Sequence, residues 1–252
     1  MALENNQSAT ISPVASGSSI IDDTVSKYLP YLKEIQKKLL ILLSVVLISG
    51  IFGFFYYQKI LMIAMNIFNL KGITIVLSSP YQFIDLAINT GIATGVIIAF
   101  PLFIYYVMGF LKPALARNEF TLLSRLIPFT TILFILGFIF GGWVMQFVIN
   151  LYSKTAIDFN ITNIWDISKF FSQTIIMGVC LGILFEIPIF ITVLIKLRIV
   201  KKQTIASNRR IIYAILVVLA ALLPPGDVIS LAILTSVPIL LFEIGLLLNK
   251  SI

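Results

Sequence analysis

Charged residues are so widely spaced in this chain that the intervals between them dictate its solvent. Lys38 and Lys59 enclose twenty uncharged residues, Asp85 and Lys112 twenty-six, and Arg125 and Lys154 twenty-eight. Lys169 to Lys196 is interrupted only by Glu186. Each interval reaches the roughly 20 helical residues, at about 1.5 Å of rise each, that cross a hydrocarbon core of about 30 Å. Only 12% of the 252 residues are charged and 59% are hydrophobic, with mean hydropathy +1.05. Soluble domains carry about twice that share of charge. Four membrane-spanning helices follow, and a water-soluble globule is excluded.

The stretch from Ile211 to Leu248 is less regular. Pro224-Pro225-Gly226-Asp227 breaks it with residues that mark a tight turn. Only thirteen apolar residues precede the break, about 20 Å of helix. One long helix would hold two prolines and Asp227 in the bilayer, whereas two short helices joined outside avoid that cost. A re-entrant hairpin is the competing reading. The expected spans are 39–58, 86–111, 126–150, 170–195, 211–224 and 228–248: six transmembrane helices, the last two short enough to thin the bilayer locally.

Six spans put both termini on one side. That side collects fourteen bases, among them Lys33, Lys38, Lys112, Arg117, Arg125, Lys196 to Arg210 and Lys250, against Lys59, Lys71, Lys154 and Lys169 opposite. By the positive-inside rule both termini face the cytoplasm. The net charge of +7 is therefore a topology signal, and no nucleic-acid partner is expected, because there is little polar surface to carry a basic stripe. Residues 1–26 are polar and Ser-rich without a signal peptide's charged and apolar regions, and read as a disordered tail ahead of a membrane domain at 27–252. In the outer loops, Ile60–Phe68 suits a segment lying along the interface, and Trp165 an interfacial aromatic.

The chemistry open to the chain is narrow. It has no histidine, and its one cysteine, Cys180, lies in an apolar run. The commonest general base and metal ligand is absent, and no intrachain disulfide is possible. No cofactor or metal is expected, and no Gly-rich phosphate loop is present. Attention falls on the scarce carboxylates. Glu186 lies within the fourth span, where ionisable residues face protein or a water-lined interior; Pro188 nearby frees a backbone carbonyl and turns the smooth helix into a polar notch. The plainer reading is a protonated acid bonded to a neighbour. Glu34 stands four residues before Lys38 on an amphipathic turn with Leu32, Ile35 and Leu39 on its other face, where the plain reading is a solvated intrahelical pair. Glu119 lies in the loop after the second span, on the same side as Glu34. Two carboxylates on one face can receive an arginine pair through charge-assisted hydrogen bonds. Asp227 reads first as a turn cap, and Glu243, near Lys250, is set aside.

These features in order resemble the TatC family, the multi-span core component of the twin-arginine protein translocase. Tyr31-Leu-Lys-Glu-Ile-Gln-Lys-Lys-Leu39 is similar to the family's His-Leu-x-Glu-Leu-Arg-x-Arg-Leu. Ser79-Pro80 precedes the second span and Ala99-Phe-Pro101 lies within it. Phe110-Leu-Lys-Pro-Ala-Leu115 with Glu119 resembles the first cytoplasmic loop. Phe185-Glu-Ile-Pro188 matches an intramembrane Phe-Glu-x-Pro, and Arg209-Arg210 and Pro224-Pro-Gly-Asp227 fall where the family has a basic pair and Thr-Pro-x-Asp. The resemblance covers residues 28 to 247.

It implies an all-α, concave, glove-like bundle that binds twin-arginine signal peptides of folded precursor proteins on its cytoplasmic face. Glu34 and Glu119 would recognise the arginine pair, with Leu32 and Lys38 beside them. Glu186 and Pro188 would lie in an intramembrane groove. Asp227, Pro80 and Ser230 would form outer contacts with TatA- and TatB-type single-span subunits. Several copies would assemble in the lipid bilayer, powered by the proton-motive force. The chain departs from the pattern where Tyr31 replaces His, Gln36 and Lys38 replace Arg, Pro224 replaces Thr, and Leu231 stands at a frequent Gln. Tyr106 and Met108 likewise stand where the family often has Gln and Trp. The alternatives are a small-solute secondary transporter using Glu186 as a proton-coupled site, and an intramembrane enzyme. The first would favour more intramembrane polar groups or a repeat between halves, and the second lacks His and a reactive Cys.

Overall fold

The computed structural model describes residues 17–68, 74–76, 78–111, 127–159, 162 and 164–249. The molecule divides into two units, Met1–Ile41 and Leu42–Ile252. Helix α1 is Gly17–Phe55. It begins ten residues earlier than the boundary drawn at Lys27, so residues 17–26 are helical where the sequence reading places a disordered tail. Ile21, Val25 and Tyr28 continue the stripe of Leu32, Ile35 and Leu39 at three- and four-residue spacing, which gives those residues helical periodicity despite their polarity.

A turn at Tyr56 leads into α2, Tyr57–Ile67, which covers the segment expected along the interface. No residue of α2 is fully buried; Tyr57, Leu61, Ala64 and Met65 pack inward while Met62, Ile63 and Ile67 are exposed. Strand β1, Thr74–Val76, precedes α3, Gln82–Leu111, and then come α4, Ile127–Asp158, and strand β2, Ile164–Asp166. The two strands pair in parallel, Thr74 with Ile164 and Val76 with Asp166, a small element unforeseen in an otherwise all-α reading. It fastens the loop before α3 to the loop after α4.

The fourth span is two helices, α5 at Ile167–Leu184 and α6 at Ile187–Lys196, separated by a turn at Phe185-Glu186. A short α7, Lys202–Ser207, leads to α8, Arg209–Ala221, and α9, Val228–Leu248. The Pro-Pro-Gly-Asp turn separates α8 and α9, with Gly226 at φ +77°, so the stretch is two helices and not one long one. Among the described residues, five stretches are long and apolar enough to cross a membrane: Lys33–Phe55, Gln82–Phe110, Ile127–Asp158, Ile167–Lys196 and Val228–Leu248. At thirteen residues, α8 reaches only about 20 Å. The shortness expected of the last two helices therefore falls on α8, while α9 is long enough to span.

Between helices surrounded by hydrocarbon there is little hydrophobic drive to associate, so close backbone approach and interhelical polar contacts carry the packing. Gly137 and Gly141 of α4 face Gly178 and Gly182 of α5. A Cβ on Gly137 would lie 2.6 Å from the carbonyl oxygen of Leu181, and one on Gly141 2.6 Å from the Cα of Gly178. The second half of α1 meets α3 the same way, through Gly50 against Gly91. Asn89 of α3 donates to the Ser172 hydroxyl of α5 at 2.6 Å. One apolar core joins α3, α4 and α5 around Leu86, Val144, Met145, Met177 and Leu181; a second joins α6, α8 and α9 around Ile191, Leu216 and Phe242. Large apolar side chains on the outer faces, such as Ile98, Ile139 and Leu240, remain exposed, as lipid contact requires.

Two neighbouring glycines give opposite predictions. Gly141→Ala drives its methyl into the Gly178 backbone and lowers stability in detergent by about 1–3 kcal/mol. At Gly142 a Cβ meets nothing nearer than Phe68 Cζ at 3.7 Å, so Gly142→Ala is neutral or raises stability by up to about 1 kcal/mol through helix propensity. Unfolding midpoints of the two variants check this.

Candidate functional site

Three polar places interrupt the apolar scaffold, and the expected site residues distribute among them. In α1, Glu34 is exposed and its Oε1 lies 2.7 Å from the Lys38 ammonium. This is the i,i+4 pair read from the sequence. Such an exposed pair contributes only about 0.3–0.5 kcal/mol, so Glu34 stays available to a better partner. Leu32 lies in the backbone of α1, and its side chain is outside the described residues. Glu119 is also outside them.

The second place is the break between α5 and α6. Glu186 occupies the N-cap position of α6, and Pro188 sits in its first turn, where a missing N–H costs little. The sequence reading puts Glu186 mid-helix by count; the structure corrects this to a junction, with the notch that Pro188 predicts. The Phe185 N–H still bonds the Leu181 oxygen and the Phe190 N–H the Glu186 oxygen, so most backbone groups stay satisfied around the interruption. Pro188 packs against Gly245 of α9, where a Cβ would come within 2.9 Å of the proline Cα. Glu186 Oε1 is buried and has no hydrogen-bond partner among the described residues. An acceptor left bare away from water costs about 1–3 kcal/mol or more if charged, which marks it as unused by the fold. Cys180, about a turn and a half earlier, is a free, partly buried thiol.

The third place lies at the ends of α3, α5 and α9. Asp227 caps α9, its Oδ2 accepting the Ser230 N–H at 2.9 Å. Burial draws its carboxyl upward, but the hydrogen-bond donors around it, the Ser230 N–H foremost, together outweigh this and hold it below the usual carboxylate range. Ser230 is itself buried. Pro80 is exposed in the turn that opens α3. The residue that organises that end was missed. Asp166 accepts from Ser78 Oγ at 2.7 Å and Gln82 Nε2 at 2.6 Å through Oδ2, and from the N–H groups of Ser168 and Lys169 through Oδ1. The Ser78 hydroxyl, followed by the other donors, holds it below the ordinary range. An Asp directly before an apolar run signals an N-cap; its partners more than eighty residues away carry no such signal.

Glu243, set aside in the sequence reading, is also engaged. Its Oε1 accepts the Tyr213 hydroxyl and lies 3.3 Å from Arg209 Nε. Arg209 and Tyr213 are four residues apart on one face of α8, and both reach Glu243 of α9. Nearby, Asn249 donates to the Thr192 hydroxyl at 2.9 Å and to the Gly245 carbonyl at 2.8 Å, and Lys202 Nζ reaches the Asn249 carbonyl at 2.9 Å.

The family profile for TatC, the Sec-independent protein translocase protein, matches residues 30–238. The chain belongs to the TatC family. It is 27% identical over 228 residues to the Sec-independent protein translocase protein TatCy of Bacillus subtilis (strain 168), covering 88% of each chain. With the TatC of Carboxydothermus hydrogenoformans it shares 24% over 236 residues, 92% of this chain and 96% of that one. A crystal structure of a twin-arginine translocase receptor, TatC, in DDM superposes with TM-score 0.78 at 26% identity, over 87% of this chain and 99% of that chain. The protein is thus an integral membrane component of the Sec-independent protein translocase. That places it in protein transport, where the solute-transporter reading has no further support.

The Asp166 clasp has a defined pH dependence. Its folded pKa lies below the unfolded value of about 3.9. The stabilisation is therefore complete above that value and lost as pH falls through the depressed one. Asp166→Ala removes it at every pH and speeds amide exchange at Ser168 and Lys169 about fivefold, since an N-cap contributes about 1 kcal/mol. Unchanged exchange would contradict the assignment.

Proposed function

We propose that the protein is the receptor and core subunit of a twin-arginine translocase in a bacterial cytoplasmic membrane. It binds twin-arginine signal peptides of folded precursors on the side that holds both termini. The observation that carries this reading is Glu34, an exposed carboxylate at the entrance of the first span whose described partner is the weak Lys38 pair. A guanidinium that replaces Lys38 gains a planar, bidentate contact. Hydrogen bonds to charged groups contribute about 1.5–3 kcal/mol, well above the intrahelical pair they displace. In this reading Glu119 receives the second arginine, Leu32 lies beside the peptide's apolar residues, and Lys38 swings aside. The excess of bases on the segments that include Lys33, Lys38 and Arg198 supports the cytoplasmic assignment.

Glu186 and Pro188 supply an intramembrane polar notch. A carboxylate oxygen without a partner suits a hydrogen-bond donor brought by the inserted peptide or by a partner helix. Asp227, Ser230 and Pro80 present the outer end to TatA- and TatB-type single-span subunits, and several copies of the chain assemble around them. Transport draws on the proton-motive force, with this subunit acting as scaffold and receptor.

A photo-cross-linker on a twin-arginine peptide tests recognition. Contact is expected near Glu34 and Glu119, falling at least about tenfold when the arginine pair becomes a lysine pair, which lacks the guanidinium fork. Equal labelling by both peptides would overturn the recognition model. Glu186→Ala is expected to leave membrane insertion and peptide contact intact while impairing export of a folded reporter; normal export would make Glu186 purely structural.

A further inference from the structure

From the last residue of α6 to the second of α8 the chain runs through fifteen residues, 196–210, that hold six bases and no acid. The number of bases suits a loop that sets orientation. Their placement does not follow from that. The end of α6 is a Schellman turn in which the Ile199 N–H reaches back to the Leu194 oxygen at 3.2 Å and Arg198 takes φ +57°. Glycine is the usual residue there, because a Cβ is crowded in the left-handed region. Arg209 and Arg210 then open α8, whose first turn carries no acid, although the helix dipole disfavours cations at that end. Two local preferences are overridden to keep arginine at 198 and 210, as expected where a side chain serves binding instead of folding.

Two of the six bases are already engaged. Lys202 bonds the Asn249 carbonyl and Arg209 pairs with Glu243. Arg198, Lys201 and Arg210 are exposed, and none pairs with an acid among the described residues. Ile205 is buried against Ile191, Leu216 and Phe242, which fixes the segment onto the ends of α6, α8 and α9. Directly beside the free bases, Ile199 and Ile211 are 63% and 61% exposed. The surface therefore offers cations and bare aliphatic side chains together, at the end of a membrane span. An acidic polypeptide or free phosphate would satisfy the charges and leave the isoleucines in water.

We propose that segment 196–210 is a binding site for an anionic phospholipid, with Arg198, Lys201 and Arg210 on the headgroup phosphate and Ile199 and Ile211 against the acyl chains. Guanidinium forks match phosphate oxygens in bidentate geometry, and the aliphatic pair admits only a ligand with a hydrocarbon portion. The site rests on membrane embedding and not on signal-peptide recognition, so either can fail without the other.

Native mass spectrometry of the full-length protein in detergent, titrated with dioleoylphosphatidylglycerol or dioleoylphosphatidylcholine, tests this. Selective retention of phosphatidylglycerol is expected. Each free base removed should weaken it about fivefold, and Arg198→Gln, Lys201→Gln and Arg210→Gln together by on the order of 100-fold. Lys154→Gln with Lys169→Gln, at the opposite end, should change nothing. Should the triple variant fold poorly, Arg198→Gly decides: it relieves the left-handed strain, so its thermal midpoint should hold or rise while phosphatidylglycerol binding still falls about fivefold. Equal retention of the two lipids, wild-type binding by Arg198→Gly, displacement of the lipid by equimolar inorganic phosphate, or retention of an acidic peptide instead would each overturn the proposal.

Discussion

The close backbone contact between α4 and α5 is the interaction on which the rest of the structure depends. Helices in hydrocarbon gain little from hiding apolar side chains from each other, so the gain must come from approach distance. Gly137 and Gly141 set against Gly178 and Gly182 supply it. Two polar features then sit at the ends of α5. At its start, Asp166 ties the β-strand pair and the beginning of α3 together. At its end, the Phe185-Glu186 turn releases the chain into α6, which packs on α9 through Pro188 and Gly245.

That arrangement explains which carboxylates remain available for function. Asp166 and Asp227 are consumed as helix caps, and Glu243 is held by Arg209 and Tyr213. Glu34 has a partner of little strength, and one oxygen of Glu186 has none among the described residues. In a chain with only 11 acids, the fold thus leaves two of these five without a strong partner. In the proposed function that division separates the acids that stabilise the fold from the acids that recognise a cationic peptide.

Much of this was legible because the bilayer imposes its thickness on charge spacing. The span expected at 228–248 is α9 at Val228–Leu248, because Asp227 after Pro-Pro-Gly is both a turn and a cap. The span expected at 126–150 runs on to Asp158; Lys154 closed the uncharged interval, but a long base at a helix end can lie at the interface without ending the helix. The break at Glu186 followed from Pro188. Long-range pairings were not legible. Residues 74–76 and 164–166 carry no mutual signal, and which glycine meets which depends on helix rotation that spacing alone does not set. Glu243 was passed over because its partner, Arg209, is 34 residues away in sequence.

In the proposed function, Glu34 and Glu119 recognise an arginine pair directly. A double-mutant cycle measures this, pairing Glu34→Gln in the receptor with replacement of one signal-peptide arginine by glutamine, and repeating the cycle at Glu119→Gln. Each carboxylate should couple to one arginine by more than about 1 kcal/mol, with little coupling to the other. Additivity within about 0.5 kcal/mol at both positions would contradict the account.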